Sequence, residues 1–299
     1  MKFKGPGLLC WGILFFVSCA TSPKKPAVDE NGEFAFLSPG AAAYISMDVP
    51  RARPLLEFIS LGGFSGKEAG EFLDKTNFAV VAAYPPGSER SFMVAARGKY
   101  PNKRIDFSFA FDPFWKKRPS ARGGSYWRSD RYDLSIFLTS RRALVSDGDP
   151  LIPPPGAAVP PEFAALRRDA LLAGWTDEGG APVNQFLALL EIPLQIPADR
   201  IFFSIYDVPE GEAGKEYEAF LRIETPSVNH AKGLASLFSL TRVFMTGLPP
   251  AGEGDPLSLA AALFANVPSQ EEAALIIRTG SLSPQGIALL FNMLSLYSN

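Results

Sequence analysis

The stretch FAVVAAYPPGSERSFMVAARGKY, residues 78–100, decides how the chain is read. Its ends, FAVVAAY (78–84) and SFMVAARGKY (91–100), are short apolar runs with a Pro-Gly turn between them. That pattern predicts two strands joined as a hairpin. Working backwards, AAAYISMDV (41–49) reads as a strand from its aromatic and β-branched content, and RARPLLEFI as a short helix. Working forwards, Pro101 is suited to the first position of a helix, where a missing N–H costs nothing. RIDFSFAFD (104–112) alternates like a strand, with Ile105, Phe107, Phe109 and Phe111 on one face, yet its place after GKYPNK favours a helix. SYWRS, DLSIFLTS and RALVSDG follow as strands.

A similar order recurs further on. LLAGWTDE (171–178) precedes a helix expected at PVNQFLALLE, then come strands RIFFSIYDV (200–208) and EYEAFLRIE (216–224), and then Pro226. Between the two sets lies DPLIPPPGAAVPP (149–161), whose six prolines forbid a continuous helix or a central strand. The chain therefore divides into an N-terminal α+β half (34–149), a Pro-rich connector (150–161) and a C-terminal α+β half (162–299). The fold class is α+β, with two pseudo-repeated β-α-β-β-α halves, mainly antiparallel sheet and amphipathic helices packed on it. The repetition is one of pattern, not of residue identity.

The N-terminus has another character. Lys2 and Lys4 precede the ten-residue apolar run LLCWGILFFV (8–17). A membrane-spanning helix needs roughly 20 apolar residues, so this run has the layout of a secretory signal, residues 1–18. Ser18-Cys19-Ala20 closes it, and residues 19–33 continue as a polar, Pro-containing tether. Cys10 and Cys19 are the only cysteines, and Cys10 lies in the part removed, so no disulfide forms within the mature chain. Removal also takes away Lys2 and Lys4, leaving 27 basic against 31 acidic residues, a balance that argues against a nucleic-acid partner.

Catalytic chemistry finds no foothold. His230 is the sole histidine, inside an expected helix, so neither a Cys/His metal cluster nor a dedicated triad can be built. G-x-S-x-G, P-loop and dinucleotide-binding glycine patterns are missing, and SDGDP (146–150) lacks the further ligands of a calcium loop. The expectation is a protein that is not an enzyme and holds no cofactor and no metal.

Two stretches are less ordinary. FWKKRPSARGGSYWRSDR (114–131), read as a loop running into the strand SYWRS, sets Lys116, Lys117, Arg118, Arg122, Arg128 and Arg131 against Asp130 and interleaves Trp115, Tyr126 and Trp127. Aromatic rings of this kind favour the headgroup region, and basic residues favour an anionic surface; the alternative is that the tryptophans pack on the core. Trp115, Lys116, Lys117, Arg118, Tyr126 and Trp127 are the candidate contacts. The C-terminal third is poor in charge. VNHAKGLASLFSLTRVFMTGL (228–248), PLSLAAALFANVP (256–268) and SPQGIALLFNMLSLYS (283–298) have between them only Lys232 and Arg242 as charged residues. Stripes of Leu234, Leu237 and Phe238, and of Ile287, Leu290, Phe291 and Leu294, are either core, the lining of an apolar cavity, or inserted in a bilayer interface.

The run ending Phe16-Val17-Ser18-Cys19 resembles the lipobox of bacterial lipoproteins. That resemblance implies cleavage before Cys19 and acylation of its sulfur and new amino group. With the α+β body, the doubled strand-helix pattern and the uncharged amphipathic helices, the chain resembles treponemal lipoproteins of the concealed outer-membrane type. The resemblance implies a lipid-anchored envelope protein on the periplasmic face of the outer membrane, inserting amphipathic helices or holding a lipid. Ala20, where an Asp would retain an enterobacterial lipoprotein in the inner membrane, agrees with that side. The expected function is a non-enzymatic envelope lipoprotein that contacts the membrane or binds a lipid or other apolar ligand. The alternative is a tethered protein–protein interaction module of an envelope complex. The expected partners are membrane lipid through the Cys19 anchor and a bound lipid, with no protein partner identified.

Overall fold

The computed structural model describes residues 32–56, 67–151, 156–180, 184, 195, 197–208, 216–245 and 256–287. Its strands, in chain order, are β1 (Ala43–Asp48), β2 (Thr76–Ala83), β3 (Phe92–Gly98), β4 (Trp115–Pro119), β5 (Ser125–Ser129) and β6 (Leu134–Leu138). They continue with β7 (Arg142–Ser146), β8 (Leu172–Thr176), β9 (Arg200–Asp207), β10 (Tyr217–Glu224), β11 (Ser269–Glu271) and β12 (Ala274–Arg278). The helices are α1 (Val49–Leu56), α2 (Lys67–Lys75), α3 (Asn102–Phe111), α4 (Pro161–Leu166), α5 (Val228–Met245) and α6 (Pro256–Leu263), and a 3₁₀ turn spans Gly32–Phe36.

The hairpin at 78–100 forms as its pattern predicts. Val81 faces Val94 and Ala79 faces Ala96 across an antiparallel pair, and the Tyr84 N–H donates to the Ser91 carbonyl at 2.8 Å to close the turn. From there the sheet grows in both directions to the order β11-β12-β10-β9-β8-β1-β2-β3-β7-β6-β5-β4, with every neighbouring pair antiparallel. The fold class is therefore α+β on one large antiparallel sheet. The seam between the two halves is the β1–β8 pairing, where Tyr44 faces Trp175 and Ile45 faces Gly174. A Cβ at Gly174 would lie 2.6 Å from the Tyr44 carbonyl oxygen and 2.5 Å from the Phe203 ring, so only glycine lets the seam close.

Alternation along each strand splits the core in two. Met47, Ala79, Ala96, Leu172, Ile201, Ile205, Leu275 and Ile277 face a layer of helices: α1 through Leu55, α5 through Leu234 and Phe238, and α6 through Leu263. On the other side, Tyr44, Val80, Met93 and Trp175 pack against the 3₁₀ turn through Phe34 and against α4 through Phe163. The Trp175 ring stacks on Tyr44 at 4.5 Å and lies 4.5 Å from Phe163 and 5.4 Å from Phe34. Glu33, only 2% exposed, pins the 3₁₀ turn to the sheet by accepting from Arg142 Nε at 2.8 Å.

RIDFSFAFD is helical, within α3. SYWRS is strand β5, as expected, but the rest of 114–131 is not simply a loop, because residues 115–119 pair with 125–129 as the β4–β5 hairpin. The helix expected at 182–191 (Asn184 apart), residues 1–31 with Cys19, and residues 288–299 with Leu290, Phe291 and Leu294 lie outside the described residues. No helix among the described residues is long and apolar enough to cross a membrane.

Candidate functional site

α3 follows from Pro101, which fills the N-cap position, and ends at Asp112. A helix turns about 100° per residue, so Ile105 and Phe109 share one side while Lys103, Arg104, Phe107 and Phe111 share the other. The exposures agree: Lys103, Arg104, Phe107, Ser108, Ala110 and Phe111 are open to solvent, and Asn102, Ile105, Asp106 and Phe109 are half-buried. No residue of α3 is fully buried. The inward side rests on the β4–β5 hairpin. The Phe109 ring stacks on Trp115 at 4.2 Å and meets Trp127 edge-on at 5.8 Å, and Trp127 Nε1 donates to Asp106 Oδ1 at 2.8 Å.

Register places α3 in the helical layer. Trp127 pairs with Ile136, Ile136 with Val145 and Val145 with Val94, and Val94 packs against the core beneath the other helices. Directly paired residues share a face, so α3 sits on the same side of the sheet as α1, α5 and α6.

The outward side of α3 is aromatic. Phe107 is 66% and Phe111 74% exposed, and their rings lie 4.6 Å apart. Phe114 and Tyr132 extend this surface from the ends of the hairpin, with the Arg131 guanidinium 4.5 Å from one ring and 5.4 Å from the other. A second apolar surface leaves the same layer at the C-terminal end of α5, where Leu240, Val243 and Phe244 are exposed, Phe244 by 69%.

The sequence candidates divide accordingly. Trp115 is half-buried and Trp127 buried, both engaged with α3. Lys116, Lys117 and Arg118 are exposed, but the period of two separates them. Lys117 lies on the α3 side with its Nζ 5.7 Å from the Trp127 ring, whereas Lys116, Arg118 and the half-buried Tyr126 face the opposite side. On α5, Leu234 and Phe238 are buried against the sheet and Leu237 is half-buried on it, because that stripe is the one the helix packs with. They are core residues, and the outward side of α5 belongs to Leu240, Val243 and Phe244. Ile287 is fully buried. Phe107, Phe111, Phe114, Tyr132, Leu240, Val243 and Phe244 were not among the sequence candidates; helical spacing applied to 102–111 is the signal that finds the first two.

On the opposite side of the β4–β7 region, a shallow cleft of about 270 Å³ is lined by Arg118, Tyr126, Arg128, Asp130, Ser135, Asp147 and Asp149. Most of its charged groups are engaged by neighbouring side chains or backbone. Asp149 accepts from Ser120 Oγ at 2.6 Å, Asp130 meets Lys116 at 3.5 Å, and Arg128 is engaged with Asp133 and the Asp147 carbonyl. Burial pushes the Asp147 carboxyl up, but hydrogen bonds from the Ser91 hydroxyl and N–H outweigh it and hold the group below its ordinary value. Among the described residues no group of three His, Cys, Asp or Glu side chains is arranged to hold a metal. His230 is an exposed residue in the first turn of α5; its N–H donates to Ser227 Oγ at 3.3 Å, and its Nδ1 lies 2.9 Å from the same atom, an end-capping arrangement.

No family model matches the chain, and neither does any curated protein. Among solved structures, the fold is similar to that of TP0453, a treponemal lipoprotein. Its crystal form III gives a TM-score of 0.59 at 15% identity over 87% of this chain and 97% of that one. Crystal form I gives 0.57 at 15% identity over 88% and 97%, and crystal form IV gives 0.56 at 16% identity over 89% and 96%. At such identity the likeness is one of fold.

Proposed function

We propose that this chain is a lipid-anchored, non-enzymatic protein of the cell envelope, held through Cys19 on the periplasmic face of the outer membrane, whose helical layer lies against the bilayer. One observation carries the reading. Among the described residues, the helices that expose large apolar side chains, α3 and α5, lie on one side of the sheet, and neither the 3₁₀ turn nor α4 on the other side exposes any. Phe107 and Phe111 in α3, and Leu240, Val243 and Phe244 in α5, gain roughly 1.5–3 kcal/mol each if fully withdrawn from water. An isolated soluble surface offers no such gain, whereas the interfacial zone of a membrane does. The lipobox-like run ending at Cys19 and the fold shared with a treponemal lipoprotein support the same reading.

Acyl chains contribute about 0.8 kcal/mol per buried CH₂, so two or three of them suffice to hold the protein. Contact by the helical layer then sets the orientation of the body and brings apolar surface to lipid. Flotation with vesicles tests this, using the mature chain carrying Cys19→Ala so that no acyl group contributes. Co-flotation is expected. A protein that remains in the aqueous fraction at both low and high salt has no intrinsic membrane contact, and a stoichiometric protein partner recovered by cross-linking would then favour the interaction-module alternative.

A further inference from the structure

The two apolar surfaces of the helical layer differ in charge, and that difference specifies a partner for one of them. Residues 102–133 hold eight basic and four acidic side chains in a chain whose mature part has an acidic excess. All four acids are engaged locally. Asp106 accepts from Trp127 Nε1 at 2.8 Å, Asp112 accepts from the Phe114 N–H at 2.9 Å, Asp130 pairs with Lys116 at 3.5 Å, and Asp133 pairs with Arg128. Among the described residues, Lys103, Arg104, Lys117 and Arg131 make no ion pair. Lys103 and Arg104 stand on the side of α3 that carries Phe107 and Phe111, Lys117 lies over Trp127, and Arg131 lies between Phe114 and Tyr132.

Resting on the membrane reading above, we infer that the α3 surface is a docking site for an anionic bilayer, with Phe107 and Phe111 entering between headgroups while Lys103, Arg104, Lys117 and Arg131 meet lipid phosphates. A helix with adjacent rings and flanking cations lies flat in the interface, its apolar side at the boundary between headgroups and acyl chains. Arginine beside aromatic rings presents a planar fork that matches phosphate oxygens. The remainder of the mature chain is repelled by an anionic surface, so the basic island turns the molecule α3 end first. The exposed phenylalanines distinguish this surface from one made for a soluble polyanion, which would leave both rings in water. The α5 surface, whose Arg242 is engaged with the Ala265 carbonyl at 3.2 Å, has no comparable set of cations and carries no preference for anionic lipid.

The test compares the mature Cys19→Ala chain on phosphatidylcholine vesicles with the same chain on vesicles also containing phosphatidylglycerol. Binding to the anionic vesicles is expected to be about tenfold tighter or more, and to fall as salt is raised. The exposed-site variant Lys103→Gln/Arg104→Gln/Lys117→Gln/Arg131→Gln should lose that preference while keeping its circular dichroism spectrum and its binding to neutral vesicles. Equal binding to both compositions overturns the inference and leaves the membrane reading standing. Binding to neither overturns both. If the charge variant keeps the anionic preference, the cations named here are the wrong ones. If Phe107→Ser/Phe111→Ser leaves anionic binding unchanged, the rings do not enter lipid and the inference is overturned.

Discussion

The two sides of the sheet solve the same burial problem in different ways. At the centre of one, a short 3₁₀ turn and α4 suffice, because Phe34, Tyr44, Phe163 and Trp175 form a closed aromatic cluster and the buried Glu33 accepts from the half-buried Arg142. On the other, longer helices cover the sheet with one side each and leave apolar side chains on the side turned away. α3 is the extreme case, because every one of its residues is at least partly exposed. The centre of one sheet face is thus covered with little chain, whereas α3 and the end of α5 carry large apolar side chains beyond those that the core takes up.

The largest expected effect tests that contrast. Trp175→Ala, which empties the centre of the aromatic cluster, should destabilise the protein by about 3–5 kcal/mol in denaturant unfolding. Phe111→Ala removes a ring of similar character and should change stability by no more than about 0.5 kcal/mol. A comparable loss for both would make Phe111 a packing residue and erase the distinction between the two sides.

The strands were largely legible in the sequence, because apolar alternation bounded by Gly and Pro is a local signal. What joins them was not. The β1–β8 seam pairs residues 43–47 with 172–176, and nothing near either stretch records the partner beyond the Gly174 that the close approach requires. The outward surface was hidden for a different reason. Read with a period of two, Ile105, Phe107, Phe109 and Phe111 fall on one face; on a helix, Phe107 and Phe111 separate from Ile105 and Phe109 and join Lys103 and Arg104. On α5 the apolar stripe was legible but its direction was not, since Leu234 and Phe238 look as fit for lipid as for core until the sheet beneath them is known. In the basic run 114–131 the strand SYWRS is legible, but charge and the Gly-Gly turn hide its partner, although the alternation of Trp115, Lys117 and Pro119 against Lys116 and Arg118 is that of the edge strand they form.

A smaller effect belongs to the polar cleft, which takes no part in either core. The folded value of the Asp147 carboxyl lies below its ordinary 3.8, so its contribution to stability is present above that pH and is lost as pH falls through the folded value. Ser91→Ala weakens the network that holds it there. The variant should be less stable than the parent by up to about 1 kcal/mol near neutral pH, and the gap should narrow as the pH falls below 3.8. A gap that is constant with pH would assign the Ser91 hydroxyl a role other than binding the carboxylate.

The orientation of the molecule on a bilayer can be read directly, because the mature chain with Cys19→Ala has no other cysteine and accepts a single nitroxide label at any chosen site. Labels at Phe111→Cys on α3 and Glu162→Cys on α4 report the two sides of the sheet. With anionic vesicles, the label at 111 should become accessible to oxygen and shielded from a water-soluble nickel relaxant, while the label at 162 stays aqueous. Equal aqueous exposure at both positions on protein that has floated with the vesicles, or shielding at 162 alone, would contradict a helical layer turned towards the membrane.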